Sequence, residues 1–186
     1  MRVAEDMKRT KKPRVTPDAH QVFNHGLRFL TTDQAVRRIF GGDPNWSPVI
    51  APPTMVLSAF ASELLLKCLL IIETGEAPDN IHELHTLFGK LKHKTKRRIE
   101  EIWDAQCRGK IEGLAKLQGV PTDLPNALFR CTKAFERLRY AYEDQFRDVT
   151  FYIGDFPWIL ARVISEIEPE WAPSEPPPIP GFKSPG

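Results

Sequence analysis

The fold is decided by residues 58–91, which read SAFASELLLKCLLIIETGEAPDNIHELHTLFGKL. Between positions 55 and 72, the polar side chains are confined to Ser58, Ser62, Glu63 and Lys67. A helix that is apolar nearly all round belongs at the centre of a protein. The sequence therefore predicts a central helix over residues 54–74 and an all-α fold.

The end of this stretch contains a signal for a second helix. Gly75 predicts the end of the central helix, and Asn80 followed three residues later by Glu83 has the spacing of a capping box. We therefore expect a helix over residues 81–91. Within the central helix, Glu63 and Lys67 are one turn apart, a spacing at which oppositely charged side chains touch.

Composition predicts a single soluble domain. The chain has 186 residues, a formal net charge of +2 and 41% hydrophobic residues, enough for one core of ordinary size. We expect a disordered basic tail over residues 1–16, a helical domain over residues 17–168 and a disordered Pro-rich tail over residues 169–186. The N-terminus contains no apolar signal-peptide core, which predicts a cytoplasmic protein. The charges of Glu63 and Lys67 argue against a membrane span.

The remaining patterns predict a bundle of about five to seven helices. The first would start near residue 17, with Thr32 or Asp33 capping a continuation to residue 40, and the prolines of residues 43–53 predict a loop. Later helices are expected over residues 95–108, 124–145 and 155–168. Apolar positions of the 124–145 helix alternate steps of three and four, as in a buried seam: Leu128, Cys131, Phe135, Leu138 and Tyr142.

A second apolar stripe lies on the opposite face of the 124–145 helix. Phe129 and Tyr140 fall on this stripe, and an apolar face of this kind needs a packing partner. Either the last helix or another subunit would provide it.

Three short motifs resemble the HEPN superfamily, small helical bundles of bacterial toxin-antitoxin, phage-defence and RNA-processing systems. They are ELLLKCLL at residues 63–70, HELHTLF at residues 82–88 and FERLRYAYE at residues 135–143. The resemblance covers residues 17–168. It implies a homodimer with the long helices near the two-fold axis, and a nucleotidyltransferase or an antitoxin as a further partner.

Active members of that superfamily are metal-independent ribonucleases with an Arg and a His on the last long helix. This sequence has Arg137 and Arg139, but no His follows His93, so the usual pair is missing. RNA cleavage needs a base, an acid and a cation for the developing charge. An altered site would use Glu63, His82 and Arg139. Two plainer interpretations remain: Arg139 pairs with Glu143 at the surface, and His82 caps a helix turn.

The densest positive cluster lies between residues 90 and 98. Such a cluster can bind phosphates with an affinity that falls as salt rises. The competing interpretation is a solvated helix junction balanced by Glu100, Glu101 and Asp104. The candidate ligand- or RNA-binding residues are Lys67, Lys92, Lys94, Lys96, Arg97, Arg98, Tyr140, Tyr142 and Glu143. No spacing typical of metal ligands is present, and the sequence predicts no cofactor.

Three functions follow from these patterns. The preferred one is a nucleotide- or RNA-associated interaction module, homodimeric through Phe129 and Tyr140, without the usual ribonuclease dyad. The alternative is a metal-independent endoribonuclease of a toxin-antitoxin or phage-defence type with the altered site. The third is a structural scaffold that recruits a partner through its Pro-rich tail.

Overall fold

The structure is a computed structural model in which six α-helices and one 3-10 helix are described. It describes residues 17–40, 42–45, 47–78, 80–107, 109, 112, 122–132 and 155–172. The helices are α1 (Ala19–Phe40), α2 (Ser47–Thr74), α3 (Leu84–Lys90), α4 (His93–Gln106), α5 (Leu124–Thr132), α6 (Phe156–Ile167) and the 3-10 helix Pro169–Trp171. Every regular element within these ranges is helical, which confirms the all-α prediction.

Helix α2 forms the centre of the bundle, as predicted. It packs against α1, α3 and α6, and several of its side chains are completely buried: Ala61, Ser62, Leu65, Leu66, Cys68 and Leu69. Among the described residues, Val49–Thr74 is the one helix that is long and apolar enough to cross a membrane, and half of its most apolar window is buried within the protein.

The beginning of α2 differs from the prediction of a loop over residues 43–53. The helix starts at Ser47 and includes Pro52 and Pro53. Each proline lacks the N–H that would bond to the carbonyl four residues earlier, but these carbonyls belong to the first turn, next to the exposed Val49. The hydroxyl of Thr54 donates to the carbonyls of Ile50 and Ala51, at 2.9 and 3.0 Å. The missing hydrogen bonds are therefore confined to the helix end.

Helix α1 is continuous, so the predicted cap at Thr32 or Asp33 is wrong. Asp33 lies inside the helix and is buried against α2. Its carboxylate accepts hydrogen bonds from the Arg37 guanidinium at 2.9 Å and from the Ser58 hydroxyl at 3.1 Å. The Asp33 side chain is only 6% exposed, so its carboxylate needs hydrogen-bond donors from the protein. Arg37 and Ser58 provide them, and Asp33 is thus a polar link between the two longest helices.

The capping box predicted at Asn80 and Glu83 does not form. Helix α3 starts at Leu84, with Glu83 as the preceding residue and without a side-chain capping bond. Asn80 has φ of 40°, a left-handed conformation that asparagine tolerates better than most residues. Residues 80–83 therefore form a connection between α2 and α3, and this connection carries His82 back towards α2.

Helices α5 and α6 complete the core, and the 3-10 helix that follows α6 packs against α1. Leu128 and Cys131 of the predicted seam are buried, while Phe135, Leu138 and Tyr142 lie outside the described residues. Trp171, in the 3-10 helix after α6, stacks on His20 with ring centroids 4.9 Å apart and also contacts Phe23. The packed part of the chain thus includes residue 171.

Candidate functional site

Glu63, Lys67 and His82 form one polar cluster beside α2, here named the Glu63 cluster. The Lys67 ammonium donates to Glu63 Oε1 at 2.7 Å, and His82 Nδ1 lies 3.0 Å from the same oxygen. The Glu63 and Lys67 side chains are 17% and 20% exposed, whereas that of His82 is 71% exposed. The structure therefore brings together three of the residues that the sequence singled out.

The hydrogen bond to Glu63 determines the chemistry that His82 can perform. An ionised carboxylate only accepts hydrogen bonds, so Nδ1 of a neutral His82 carries the proton and donates it to Glu63. Nε2 is then a free acceptor on a ring whose orientation the carboxylate fixes. A carboxylate-oriented imidazole of this kind can accept a proton or a hydrogen bond from a ligand.

Four further members of the predicted catalytic and binding set lie outside the described residues. These are Arg139, Tyr140, Tyr142 and Glu143. The altered ribonuclease site is thus represented by Glu63 and His82, with Lys67 as the adjacent cation. The homodimer through Phe129 and Tyr140 stays a prediction, as does partner recruitment by the Pro-rich tail.

Comparisons with known proteins give no independent guide to the function. The chain matches no family model, and neither curated proteins nor solved structures show a significant similarity to it. The resemblance to the HEPN superfamily therefore stays a prediction from short motifs.

The two arginines of the basic cluster are engaged in ion pairs. Arg98 donates two hydrogen bonds to Glu166 of α6, at 2.7 and 2.8 Å, and Arg97 lies 3.3 Å from Glu101. Arg162 donates to the same Glu166 carboxylate at 3.2 Å. The bonds from Arg98 lower the pKa of Glu166, and Glu166 in turn raises the pKa of Arg98. Arg98 therefore joins α4 to α6, whereas the Arg97 pair lies within α4.

The lysines of the same cluster behave differently. Lys92 Nζ donates to the Glu73 carbonyl at 2.9 Å, and Lys96 Nζ donates to the Gly89 carbonyl at 3.2 Å. Neither these lysines nor Lys90 and Lys94 have a carboxylate within ion-pair distance in the part of the chain that the structure describes. Within the described residues, the cluster is thus divided into arginines that form ion pairs and lysines that form none.

Two cavities flank α4 and contain these cations. One, of about 530 Å³, lies between α4 and α6, with Lys92, Lys94 and Arg98 around an apolar floor that includes Val163 and Ile167. The volume of each cavity falls within the range typical of small-molecule sites, about 300–1,000 Å³.

The second cavity, here named the α3–α5 groove, was not predicted from the sequence. It has a volume of about 570 Å³ and lies between α3, α4 and α5, with His85, His93, Lys96, Arg97 and Phe129 in its lining. The ring of Phe129 meets His85 edge-on, with centroids 5.3 Å apart, and the residue is 64% exposed. The sequence signals that could have indicated this groove are the aromatic Phe129 and the basic cluster. They are more than 30 residues apart in the chain, so the sequence did not show that they are neighbours.

Metal chemistry has no candidate site within these ranges. The described residues contain no group of three or more His, Cys, Asp or Glu side chains that could hold a metal ion. His82 and His85, which are close in sequence, have different partners: His82 bonds to Glu63, whereas His85 contacts Phe129.

Proposed function

We propose that this chain is a nucleotide- or RNA-associated interaction module that binds phosphate groups at the α3–α4 junction. The observation that carries the proposal is the set of four lysines, Lys90, Lys92, Lys94 and Lys96, without carboxylate partners among the described residues. Neighbouring positive charges produce a local potential that attracts polyanions and raises their association rate.

The difference between the arginines and the lysines of the basic cluster supports this proposal. Arg98 pairs with Glu166 and so joins α4 to α6, and Arg97 pairs with Glu101 within α4. The lysine ammonium groups form no ion pair within the described residues. Each is therefore able to neutralise one phosphate and release counterions. The motif resemblance to RNA-associated HEPN proteins points to the same ligand class.

Binding of a short labelled single-stranded RNA, followed by fluorescence anisotropy between about 50 and 200 mM salt, tests the proposal. The variant Lys90→Gln/Lys94→Gln removes two charges that form no bond within the described residues. We expect weaker binding and a salt slope that is smaller by about 1.4, because each phosphate contact contributes about 0.7 for single strands.

Arg28→Gln/Arg38→Gln is the matched control, since it removes two exposed charges from α1. Its salt slope should equal that of the unmodified protein. Retention of RNA that does not depend on salt would contradict the proposal, and so would an equal loss in the control variant.

An endoribonuclease is the second candidate, favoured by the contact between His82 and Glu63. In this candidate Nε2 of His82 removes the proton of an RNA 2′-hydroxyl, whose oxygen attacks the adjacent phosphorus and gives a 2′,3′-cyclic phosphate. The P–O5′ bond breaks, and the leaving 5′-oxygen takes a proton from water. Glu63 orients the imidazole, and Lys67 lies near the developing charge. Cleavage of RNA in the presence of a chelator, lost in His82→Ala but kept in the control His25→Ala, an exposed histidine of α1, would support it. Intact RNA at the end of a long incubation would exclude it.

A further inference from the structure

The α3–α5 groove combines a fixed aromatic ring with positive charge. Phe129 is the most exposed large hydrophobic residue among those described. The imidazole of His85 meets its ring at an interplanar angle of 76°, so the phenyl ring is supported by a neighbouring ring. A ring that is held in place and still open to solvent is a preformed stacking surface.

The opposite wall of the groove is formed by α4. Lys96 reaches across to the carbonyl of Gly89 at 3.2 Å, which keeps its ammonium group at the wall between α3 and α4. His93 and Arg97 line the same wall, and Glu100 is the one acidic residue among the lining residues. The groove therefore presents more positive than negative groups.

We infer that the α3–α5 groove binds a nucleobase together with its adjoining phosphate, the base stacking on Phe129 and the phosphate accepting from Lys96. The inference rests on the proposed function and names the part of the surface that recognises bases. Bases stack on aromatic side chains without sequence preference, because every base has a π-face. The groove volume of about 570 Å³ lies within the range for small-molecule sites.

The surroundings of Phe129 favour this ligand over a second copy of the chain. A two-fold interface places the same patch of both subunits face to face. Here it would bring Lys96 and Arg97 of one subunit close to the same cations of the other, and like charges in contact weaken association. A nucleic acid supplies both a planar aromatic base that can stack on Phe129 and a negative charge that complements Lys96.

Two single-stranded oligonucleotides of equal length test the inference: one carries adenine at every position and the other is abasic. Both present the same number of phosphates, so binding to lysines alone treats them alike. We expect the base-bearing strand to bind about tenfold more tightly, in line with base–aromatic stacking. Phe129→Leu keeps an apolar side chain, and it should bring the two affinities close together without changing that of the abasic strand.

Two further variants make the test specific. Lys96→Gln should weaken both strands and leave their ratio unchanged, because it removes a phosphate contact. Val49→Ala alters a residue of similar exposure on α2, and it should change neither affinity.

The outcomes separate the inference from the proposed function. An unchanged ratio in Phe129→Leu would overturn the inference and leave phosphate binding at the α3–α4 junction intact. Failure of both strands to bind would overturn both. Sedimentation of the unliganded proteins is the last measurement: a dimer that becomes a monomer in Phe129→Leu would assign Phe129 to a subunit interface and overturn the inference.

Discussion

The carboxylate of Glu73, at the end of α2, caps the first turn of α4 by accepting the backbone N–H of Lys92 at 2.8 Å. The same carboxylate accepts the hydroxyl of Thr95. The first N–H groups of a helix have no partner within the helix, and a negative charge there also interacts favourably with the helix dipole. The central helix therefore determines where the basic helix starts.

Replacing Glu73 tests this cap. Glu73→Ala should lower the free energy of unfolding by about 1–2 kcal/mol, because it removes both the capping bonds and the charge–dipole interaction. Urea denaturation measures the change. Glu83→Ala is the matched control, since Glu83 precedes α3 without a side-chain capping bond. Similar losses in the two variants would disprove a specific role of Glu73.

Two glycines in helices should respond to alanine in opposite directions. A methyl group at Gly26 of α1 would lie 2.9 Å from Cγ and Cδ2 of the buried Leu65. Overpacking costs about 1–3 kcal/mol, which outweighs the gain in helix propensity of about 1 kcal/mol, so Gly26→Ala should destabilise. A methyl group at Gly89 of α3 meets nothing within 4 Å, and Gly89→Ala should stabilise by about 0.5 kcal/mol. Thermal melting followed by circular dichroism distinguishes the two.

The ion pair between Arg98 and Glu166 should appear in the acid branch of the stability curve. Hydrogen bonds from Arg98 hold the pKa of Glu166 below its ordinary value. A carboxyl group with a lower pKa in the folded state stabilises the fold above its unfolded pKa, and this contribution is lost as the pH falls through the folded pKa. Because the Glu166 side chain is 36% exposed, the effect should be small and should weaken in salt.

Denaturation midpoints of the unmodified protein and Arg98→Gln, measured from neutral to acidic pH, test this expectation. The difference between the two proteins should shrink as the pH falls and should be smaller at high salt. Arg38→Gln is the control, because Arg38 is an exposed arginine of α1. A difference that stays constant with pH would show that Glu166 is not stabilised by Arg98 in solution.

The thiols of Cys68 and Cys131 should not react in the folded protein. Burial raises the pKa of Cys68 to about 12 and that of Cys131 to about 12. The thiolate is the reactive form, so a disulfide reagent at mildly alkaline pH should modify neither residue until a denaturant unfolds the chain. Mass spectrometry of the labelled peptides locates the modified residues. Rapid labelling of Cys68 under native conditions would contradict its burial against α1.

Local sequence patterns predicted the contacts within one helix. The four-residue spacing of Glu63 and Lys67 predicted their ion pair, and the apolar pattern predicted that α2 is central. Both predictions depend on helix periodicity, which a sequence displays directly. The sequence grouped His82 with Glu63 only as part of the altered ribonuclease site, and the structure places His82 Nδ1 3.0 Å from Glu63 Oε1.

Sequence patterns did not predict the contacts between segments that are far apart in the chain. Glu73 is 19 residues from Lys92, and Arg98 is 68 residues from Glu166. The local sequence therefore could not show which cations of the basic cluster form ion pairs among the described residues and which do not. The same limit applies to the α3–α5 groove, because only packing of α5 against α3 brings Phe129 to the basic cluster. The helix start at Ser47 was missed because Pro52 and Pro53 suggested a loop, although the hydrogen bonds that they cannot form involve only carbonyls of the first turn.

The stacking of Trp171 on His20 has a practical consequence for protein engineering. A truncation at residue 168, where the helical pattern of the sequence ends, would remove the indole that covers His20 and Phe23. A minimal version for crystallisation should therefore retain residue 172. Because residues 20 and 171 are in contact, the first and last described helices bring the two ends of the domain to the same side of the protein. A short linker between these two ends would therefore allow a circular permutant.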